Sequence, residues 1–282
     1  MQGNIVYYYC HEEVFNSIIE RHKLWLTSIW DLNDSSEVHW TFKKLWLDIQ
    51  GELLSKASDK QRELINLINN EINTEIYRSY MYYIVCFSKY GDLLSQWRGY
   101  ADDGRGYSIG INLDKITTQN CIPWFNVDYN KSLGHSTVIY NINEQYKILL
   151  DVFTEILEMD YTQGPLIVAL MNLSRLAAVF KNPYYFEENE VRLIFAANIS
   201  DDKVLNLDSR GILDGLFEHK NSICNTTHVE MDLLKCNADS CIESVVLGPK
   251  NKHTADDIFK KVADNGLLIA RDRILVSKGT YR

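Results

Sequence analysis

The chain has 282 residues, of which 46% are hydrophobic and 24% charged, a composition typical of a soluble globular protein with a large core. Its formal net charge of −9 disfavours general affinity for the nucleic-acid backbone, although a local basic groove would still permit a nucleic-acid substrate. The N-terminus, MQGNIVYYYC, lacks the basic segment and apolar run of a signal peptide. The least polar stretch is interrupted well short of the ~20 residues of a membrane span, so we expect a cytoplasmic protein.

Strands and helices are predicted from the spacing of apolar residues, which is two in a half-buried strand and 3.6 in a helix. The predicted strands are residues 4–10, 23–28, 79–88, 106–113, 124–129, 136–141, 187–195, 228–234, 242–250 and 274–278. The predicted helices are residues 12–21, 37–56, 59–78, 143–160, 164–182 and 254–264. This order indicates an α+β fold, with helices on the outside of a strongly bent mixed or antiparallel sheet. We interpret residues 37–78 as a helical insertion into a single domain, residues 1–282.

The tyrosine run near the N-terminus is the first candidate for ligand binding. Tyr7 and Tyr9 would face one side of a strand and Tyr8 the other, with His11 directly after them. One of these rings could stack on, or hydrogen-bond to, a flat ligand. The alternative is that the aromatic strand packs into the core, as aromatic strands commonly do.

The polar segment LNDSSE, residues 32–37, is the second candidate. Asn33 and Asp34 are turn formers whose side chains bond nearby backbone. Ser35 or Ser36 could cap the helix that follows, and Glu37 would complement the positive end of that helix. A purely structural role therefore explains the segment as well as a functional one does.

The connection between the strands at 79–88 and 106–113 is the third candidate. It carries Trp97, Arg98 and Tyr100, none of which a turn requires. Aromatic rings beside an arginine suit the recognition of a base or of a phosphate. The alternative is that Trp97 and Tyr100 fill the core beside the two strands.

The predicted strand EENEVRLIF, residues 187–195, has two different faces. Its apolar face would consist of Val191, Leu193 and Phe195. The other face would carry Glu188, Glu190 and Arg192. A carboxylate beside a reacting centre can act as a general base or stabilise developing positive charge. The alternative is an ion pair on a solvated face, which would contribute under about 1 kcal/mol to stability.

The cysteines and the segment VVLGPK offer weaker signals. The six cysteines form no CxxC pair, so we expect no zinc site and reduced thiols packed as small apolar side chains. The GPK turn and the start of the following helix, where Thr254 and Asp257 fit a capping box, could hold an anion. The alternative, which the sequence favours, is an ordinary connection between strand and helix with a good cap.

Six segments together resemble a widespread bacterial family of domains of unknown function. In chain order they are VYYYC, KLWLTS, LNDSSE, VCFSKYGDLLSQWRGYADDGRGYSIGI, YYFEENEVRLIF and VVLGPK. They run from residue 6 to about residue 250. Ser35 stands where the family frequently has a proline, and Tyr8 where it frequently has a histidine.

The opening of the chain, a strand followed by the helix and second strand of NSIIERHKLWLTS, is similar to the start of ADP-ribosyltransferases, notably bacterial toxins that modify DNA. This resemblance implies a split sheet that clamps NAD as substrate and a catalytic glutamate, Glu190. Glu188 would orient the acceptor, and Arg192 would hold the strand or the pyrophosphate. The residues implied to line the NAD site are Tyr8, Tyr9, His11, Ser28, Asn33, Trp97, Arg98 and Tyr100.

The leading hypothesis is therefore an NAD-consuming enzyme of a bacterial toxin or anti-phage defence system, with a nucleic-acid or protein acceptor and a neutralising partner protein. A second hypothesis is a non-catalytic module that senses a nucleotide or a phage component with the same cleft. A third is a metal-dependent nuclease that uses Asp34, Glu37, Glu188 and Glu190, since carboxylates suit magnesium.

Overall fold

A computed structural model describes residues 4–32, 36–74, 81–117, 133–160, 164–197, 199–200, 203–204, 211–220, 225–236 and 240–279. The strands in these residues are β1 (Ile5–Cys10), β2 (Lys23–Ser28), β3 (Met81–Ser88), β4 (Tyr107–Asn112), β5 (Leu133–Thr137), β6 (Glu190–Ala197), β7 (Ile199–Ser200), β8 (Lys203–Val204), β9 (Leu213–Lys220), β10 (Asn225–Asp232), β11 (Ile242–Leu247) and β12 (Ile274–Val276). The α-helices are α1 (Glu12–Arg21), α2 (Ser36–His39), α3 (Trp46–Lys56), α4 (Asp59–Asn73), α5 (Leu94–Tyr100), α6 (Ile142–Glu158), α7 (Pro165–Ala177) and α8 (Ala255–Asp264). The predicted α+β class is confirmed.

The structure differs from the sequence predictions at three places. The connection between β3 and β4, where no helix was predicted, contains α5, and Trp97 of this helix packs against Tyr9 of the sheet. The strand expected from residue 187 begins only at Glu190, because residues Pro183–Glu188 form a 3-10 helix. Strand β9 was not predicted, since the polar and glycine residues of LDGLFEHK hide its alternation. The strand predicted at 124–129 lies outside the described residues.

The main sheet divides at β3. One edge of β3 pairs with β6 along its whole length, from Met81 opposite Ala197 to Ser88 opposite Glu190. The other edge is shared by two strands that do not pair with each other: β1 meets it at Ser88, and β2 meets it at Ile84 and Tyr83. From there β1 leads to β4, β11 and β12, whereas β2 leads to β10 and β9. All pairs are antiparallel except β11 with β12, so the sheet is mixed as predicted.

Two hydrophobic cores cover the two faces of the sheet at β3 and β6. One core contains Val191, Leu193 and Phe195 with the apolar stripes of α1 and α8. The other contains Ile84 and Ile194 with the helices between β2 and β3 and with α6 and α7. Because helices cover both faces, β6 is buried on both sides, and the side that carries Glu190 and Arg192 faces a helical layer rather than solvent.

The helices between β2 and β3 form one long, irregular segment followed by α4. Residues 36–56 run without a break through α2, a π-helical turn at Trp40–Leu45 and α3. The apolar residues Phe42, Leu45 and Trp46 of this segment are buried in the second core. These helices correspond to the predicted insertion, and α4 ends at Asn73 rather than at residue 78.

The C-terminal part is a strand–helix–strand unit with a well-defined turn. Helix α8 starts at the capping box between Thr254 and Asp257, as expected. The preceding turn is tied to the rest of the protein, since Lys250 Nζ donates to Asp103 Oδ2 at 2.9 Å and Gly248 N to Gly106 O at 3.0 Å. The GPK turn therefore has a structural role in positioning the loop after α5.

The predicted core helix and most of the described cysteines are buried in the protein interior. Helix α7 is buried along most of its length. Among the described residues, no helix combines the length and the apolar character that crossing a membrane requires. Cys10, Cys86, Cys236 and Cys241 are free thiols, three of them buried; Cys121 and Cys224 lie outside the described residues.

Candidate functional site

A cleft opens where β1 and β2 separate on β3. Its volume is about 250 Å³. Strand β1 supplies Tyr7, Tyr8 and Tyr9, β2 supplies Trp25 and Thr27, and β3 supplies the stretch from Ile84 to Phe87 between the two pairing points. Tyr100 and Gln96 of α5, Leu32 and the charged residues Glu37, Lys181, Glu188 and Glu190 complete the lining. The divided sheet thus creates a cleft with aromatic and apolar walls and one strongly charged end.

The charged end is a network of three carboxylates and two cations. Lys181 Nζ lies 2.8 Å from Glu37 Oε1, 2.6 Å from Glu188 Oε2 and 3.1 Å from Glu190 Oε2. Arg192 Nε donates to Glu190 Oε1 at 2.7 Å, and Arg192 Nη2 donates to Glu37 Oε2 at 2.5 Å. Arg192 Nη1 is satisfied by the carbonyl of Ala178 at 3.1 Å.

Burial makes this network different from an exposed ion pair. The side chain of Arg192 is 1% exposed and that of Lys181 5%. The expectation of a solvated ion pair is therefore wrong, because β6 is covered by helices on both faces. Buried charges must be paired to remain charged, and each cation here is bonded to two or more carboxylates.

The electrostatics of the network favour its charged form. Burial alone would raise the pKa of the Glu190 carboxyl, but the Arg192 guanidinium and the Lys181 ammonium outweigh it and lower that pKa. Burial alone would lower the pKa of Lys181, but the carboxylates of Glu190 and Glu37 raise it instead. By formal charge, the three carboxylates and two cations give the network one excess negative charge.

Two neutral groups border the network. Burial, followed by the charge of Glu188, raises the pKa of the Tyr100 hydroxyl. That hydroxyl donates to Glu188 Oε1 at 3.2 Å. Burial, followed by the charge of Glu190, raises the pKa of the Cys86 thiol well above its usual range. At neutral pH the cleft therefore presents a phenol and a thiol, not their anions.

Local backbone structure brings Glu188 and Glu190 to the same cation although they do not belong to one strand. Glu188 ends the 3-10 helix, and Asn189 has a left-handed conformation with φ of 47° before β6 begins at Glu190. The Ser88 hydroxyl donates to the carbonyl of Glu188 at 3.0 Å and fixes this corner. The turn at Asn189, rather than strand alternation, thus sets the spacing of the two carboxylates.

Lys181 is held in place by its backbone. It lies four residues after the end of α7, where the Phe180 backbone bridges to Ile139. Gln145 of α6 is fully buried and donates from Nε2 to the carbonyl of Lys181 at 2.8 Å. The sequence interpretation missed Lys181. Its signal was a lysine at the end of an apolar run, a position where burial requires carboxylate partners.

The structure brings five of the predicted site residues to the cleft. Tyr8, Tyr9, Tyr100, Glu188 and Glu190 all line it. The Tyr9 hydroxyl donates to the carbonyl of Tyr90 at 2.8 Å and accepts from Leu93 N at 2.9 Å, so this ring also supports α5.

The other predicted residues lie around the cleft rather than in its lining. Trp97 is 1% exposed and packs against Tyr9 in a small core. The Ser28 hydroxyl is buried and accepts from Trp30 N at 3.2 Å, whereas the neighbouring Thr27 faces the cleft. The residues His11 and Arg98 line a neighbouring open depression that shares Tyr100 with the cleft. Asn33 lies outside the described residues.

The carboxylates of the nuclease hypothesis converge on a side-chain cation. Glu37, Glu188 and Glu190 meet at the Lys181 ammonium, whereas Asp34 lies outside the described residues. Within the described ranges, no group of three His, Cys, Asp or Glu side chains is arranged to hold a metal ion. In this arrangement the three glutamates bind the side chains of Lys181 and Arg192 rather than forming a metal site.

One comparison with known proteins finds a match to a family over part of the chain. Residues 96–193, from α5 to the middle of β6, match the model of a family described as "Protein of unknown function (DUF2971)". No curated protein and no solved structure matches the chain. The matched region contains Gln96, Tyr100, Lys181, Glu188 and Glu190 of the cleft, but not β1 and β2. Over residues 96–193, the chain is thus confirmed as resembling a family of domains of unknown function.

Proposed function

We propose that the cleft binds the nicotinamide end of NAD and that the protein consumes NAD, either transferring ADP-ribose to an acceptor or releasing it. One observation carries this proposal: aromatic rings from β1, β2 and α5 surround a cleft whose charged end has one excess negative charge. The nicotinamide ring of NAD is planar and positively charged. Aromatic faces attract such a cation, and a nearby net negative charge attracts it further.

The sheet division supports the same proposal. The ADP-ribosyltransferase fold, which the start of the chain resembles, clamps NAD in a split sheet. Here β1 and β2 leave the same edge of β3 at different points, and the cleft lies between them. Tyr8 of β1, Thr27 of β2 and Glu190 of β6 therefore line one cleft although they are far apart in sequence.

Glu190 and Glu188 have different access to a ligand. Breaking the bond between nicotinamide and ribose develops positive charge on the sugar, which a carboxylate stabilises. Both carboxylate oxygens of Glu190 are bonded to Arg192 or Lys181, and its side chain is 6% exposed. The Glu188 side chain is 18% exposed, and its Oε1 bonds the Tyr100 hydroxyl at the cleft. We therefore assign direct contact with the sugar to Glu188, and to Glu190 the charge that supports it.

Nicotinamide release tests the proposal. Purified protein is incubated with NAD, with and without nucleic acid and cell extract, and nicotinamide is measured by chromatography. We expect release to fall about 100-fold or more in Glu188→Gln. Glu187→Gln is the matched control, because Glu187 is the exposed neighbour of Glu188 and does not line the cleft. Glu190→Gln is compared only after its circular dichroism and unfolding transition have been measured.

Two results would contradict parts of the proposal. If release is lost in Glu190→Gln alone while Glu188→Gln stays active, Glu190 rather than Glu188 contacts the sugar. If folded wild-type protein releases no nicotinamide under any condition, the protein is not an NAD-consuming enzyme.

A second candidate function is ligand binding without turnover. It is favoured because all three carboxylates of the network already have a cation as partner: Lys181 is bonded to each of them. A cation so close to the reacting sugar would oppose the development of positive charge there. The two functions are separated by equilibrium dialysis of NAD followed by chromatography of the bound ligand. Intact NAD in the bound fraction after long incubation supports the binding module.

A further inference from the structure

A second cavity lies on the other side of Glu37 and Lys181. This groove has a volume of about 330 Å³. One wall is the π-helical turn and the other is the segment that follows α7. Its principal residues are Trp40, Lys43 and Lys44 on the first wall and Lys181, Asn182 and Tyr185 on the second. Because Glu37 and Lys181 line both cavities, the groove is a direct neighbour of the cleft.

The π-helical turn explains why two lysines and a tryptophan face the groove. Thr41, Phe42 and Leu45 of this turn are fully buried in the helical core. Lys43 and Lys44 are exposed on the same turn. A π-helical turn is rare, and it occurs frequently at functional sites, where the extra residue redirects side chains.

The two walls are held together by one buried side chain. Trp40 Nε1 donates to Gln145 Oε1 at 3.0 Å, and Gln145 Nε2 donates to the carbonyl of Lys181 at 2.8 Å. Gln145 is fully buried, and its bond to the carbonyl of Lys181 lies in the protein interior. The distance between the walls is thus fixed before any ligand arrives, which lowers the entropy cost of binding.

The groove is locally positive although the chain carries a net charge of −9. Among the described residues that line it, the one carboxylate is Glu37, which is already bonded to Arg192 and Lys181. Lys44 is paired with Asp48. Lys43 is exposed and has no ion-pair partner within the part of the chain that the structure describes. An anionic group would therefore meet an unpaired ammonium in the groove.

We propose that this groove is a second ligand subsite that binds the nucleoside phosphate end of a nucleotide. The Trp40 and Tyr185 rings offer surfaces for the base, and Lys43 and Lys44 offer positive charge for the phosphates. Tyr185 is already a cation–π partner of Lys181, whose Nζ lies 5.1 Å from its ring centre. The inference rests on the proposed function, because it assigns a place beside the nicotinamide cleft to the other end of a dinucleotide.

ADP binding tests the subsite without any turnover. ADP is titrated into the full chain by isothermal calorimetry at low ionic strength, where exposed charges act most strongly. We expect Lys43→Glu to weaken ADP binding about five-fold or more, and added salt to weaken ADP binding to the wild-type protein. Lys56→Glu is the matched control: it is the same charge reversal on α3, at a side chain that is 75% exposed and does not line the groove. We expect it to bind ADP as the wild-type protein does.

The subsite is overturned if the wild-type protein does not bind ADP, or if Lys43→Glu and Lys56→Glu bind it equally. NAD added to the ADP complex shows which nucleotide occupies the groove: the adenylate end of NAD or a separate nucleotide. Displacement of ADP by NAD assigns the groove to the adenylate end of NAD, and simultaneous binding assigns it to a separate nucleotide. Both results support the subsite. ADP affinity is independent of nicotinamide release, so the subsite and the proposed activity can fail separately.

Discussion

The two faces of β6 are equally buried, but different forces hold them. On one face, Leu193 and Phe195 are fully buried in an apolar core. On the other, Glu190 and Arg192 are 4% and 1% exposed and belong to a network of five charges. The apolar face gains free energy from every side chain removed from water. On the charged face, the attraction between the ions must first offset the free-energy cost of removing them from water.

The two faces tolerate substitution differently. Apolar side chains of similar volume are interchangeable to a large extent, so the apolar face specifies the fold only loosely. The charged face contributes little net stability, but each of its members requires the others in fixed positions. It is therefore the face suited to hold Glu188 and Glu190 at the charged end of a cleft.

The largest effect is expected when the charged face loses one cation. Arg192→Met leaves Glu37 and Glu190 with only Lys181 between them, and we expect the free energy of unfolding to fall by about 3–5 kcal/mol. Urea denaturation followed by circular dichroism measures the change. A loss below about 1 kcal/mol would mean that water reaches the network and that its charges are not desolvated.

A smaller loss of stability is expected when most of the network is replaced together. In the triple variant Glu37→Leu, Glu190→Leu, Arg192→Met, Lys181 keeps Glu188 as its partner. We expect this variant to be more stable than Arg192→Met alone, because a buried ionic group replaced as a whole by apolar side chains leaves no unpaired charge. If the triple variant is less stable than Arg192→Met, the charged side chains also stabilise the fold through contacts other than the ion pairs among themselves.

The apolar face is expected to respond independently of charge. Leu193→Ala removes buried methyl groups opposite the network, and we expect a loss of about 3 kcal/mol. This loss should be the same at low and high salt, whereas the effect of a charge variant at an exposed position decreases with salt. Urea denaturation at two salt concentrations measures it. A salt-dependent loss would show that the two faces of β6 are coupled.

Much of this comparison was visible in the sequence, and its limits are physical. The alternation of Val191, Leu193 and Phe195 predicted the apolar face, and the strand β6 confirms it. The burial of the other face could not be read from β6 itself, because it depends on α6, α7 and the segment 36–56 packing over it.

The candidate site shows the same limit. Tyr8, Tyr9 and Tyr100 were predicted from their chemistry, and all three reach the cleft. Trp97 was grouped with Tyr100, but the periodicity of α5 turns its ring to the core. Lys181 was missed because it lies outside every motif, and only the fold brings it within bonding distance of three glutamates.

A moderate effect is expected from Glu190→Gln, with a characteristic pH dependence. The pKa of Glu190 is lowered in the folded protein, so its stabilising contribution is complete above the unfolded value of ~4.3 and is lost as the pH falls below it. We expect a loss of about 1–3 kcal/mol at pH 7, as for a charged hydrogen bond. The difference between wild type and variant should shrink as the pH is lowered below ~4.3.

Glu187→Gln is the control for this pH dependence, since the Glu187 side chain is exposed. Unfolding free energies of the three proteins are measured between pH 7 and the lowest pH at which the wild type folds. A wild-type-to-Glu190→Gln difference that stays constant across this range would contradict the lowered pKa of Glu190.

The smallest effect on stability is expected at the opening of the cleft. Tyr100→Phe removes the hydroxyl that donates to Glu188 at 3.2 Å, on a residue that is 46% exposed. We expect a loss of at most about 1 kcal/mol, because the bond is accessible to water.

The proposed function nevertheless requires this hydroxyl to orient Glu188, so nicotinamide release should fall about ten-fold while stability is nearly unchanged. Tyr90→Phe is the matched control, since Tyr90 is 54% exposed and does not line the cleft. Equal release by both variants would show that the Tyr100 hydroxyl does not orient Glu188 for the reaction.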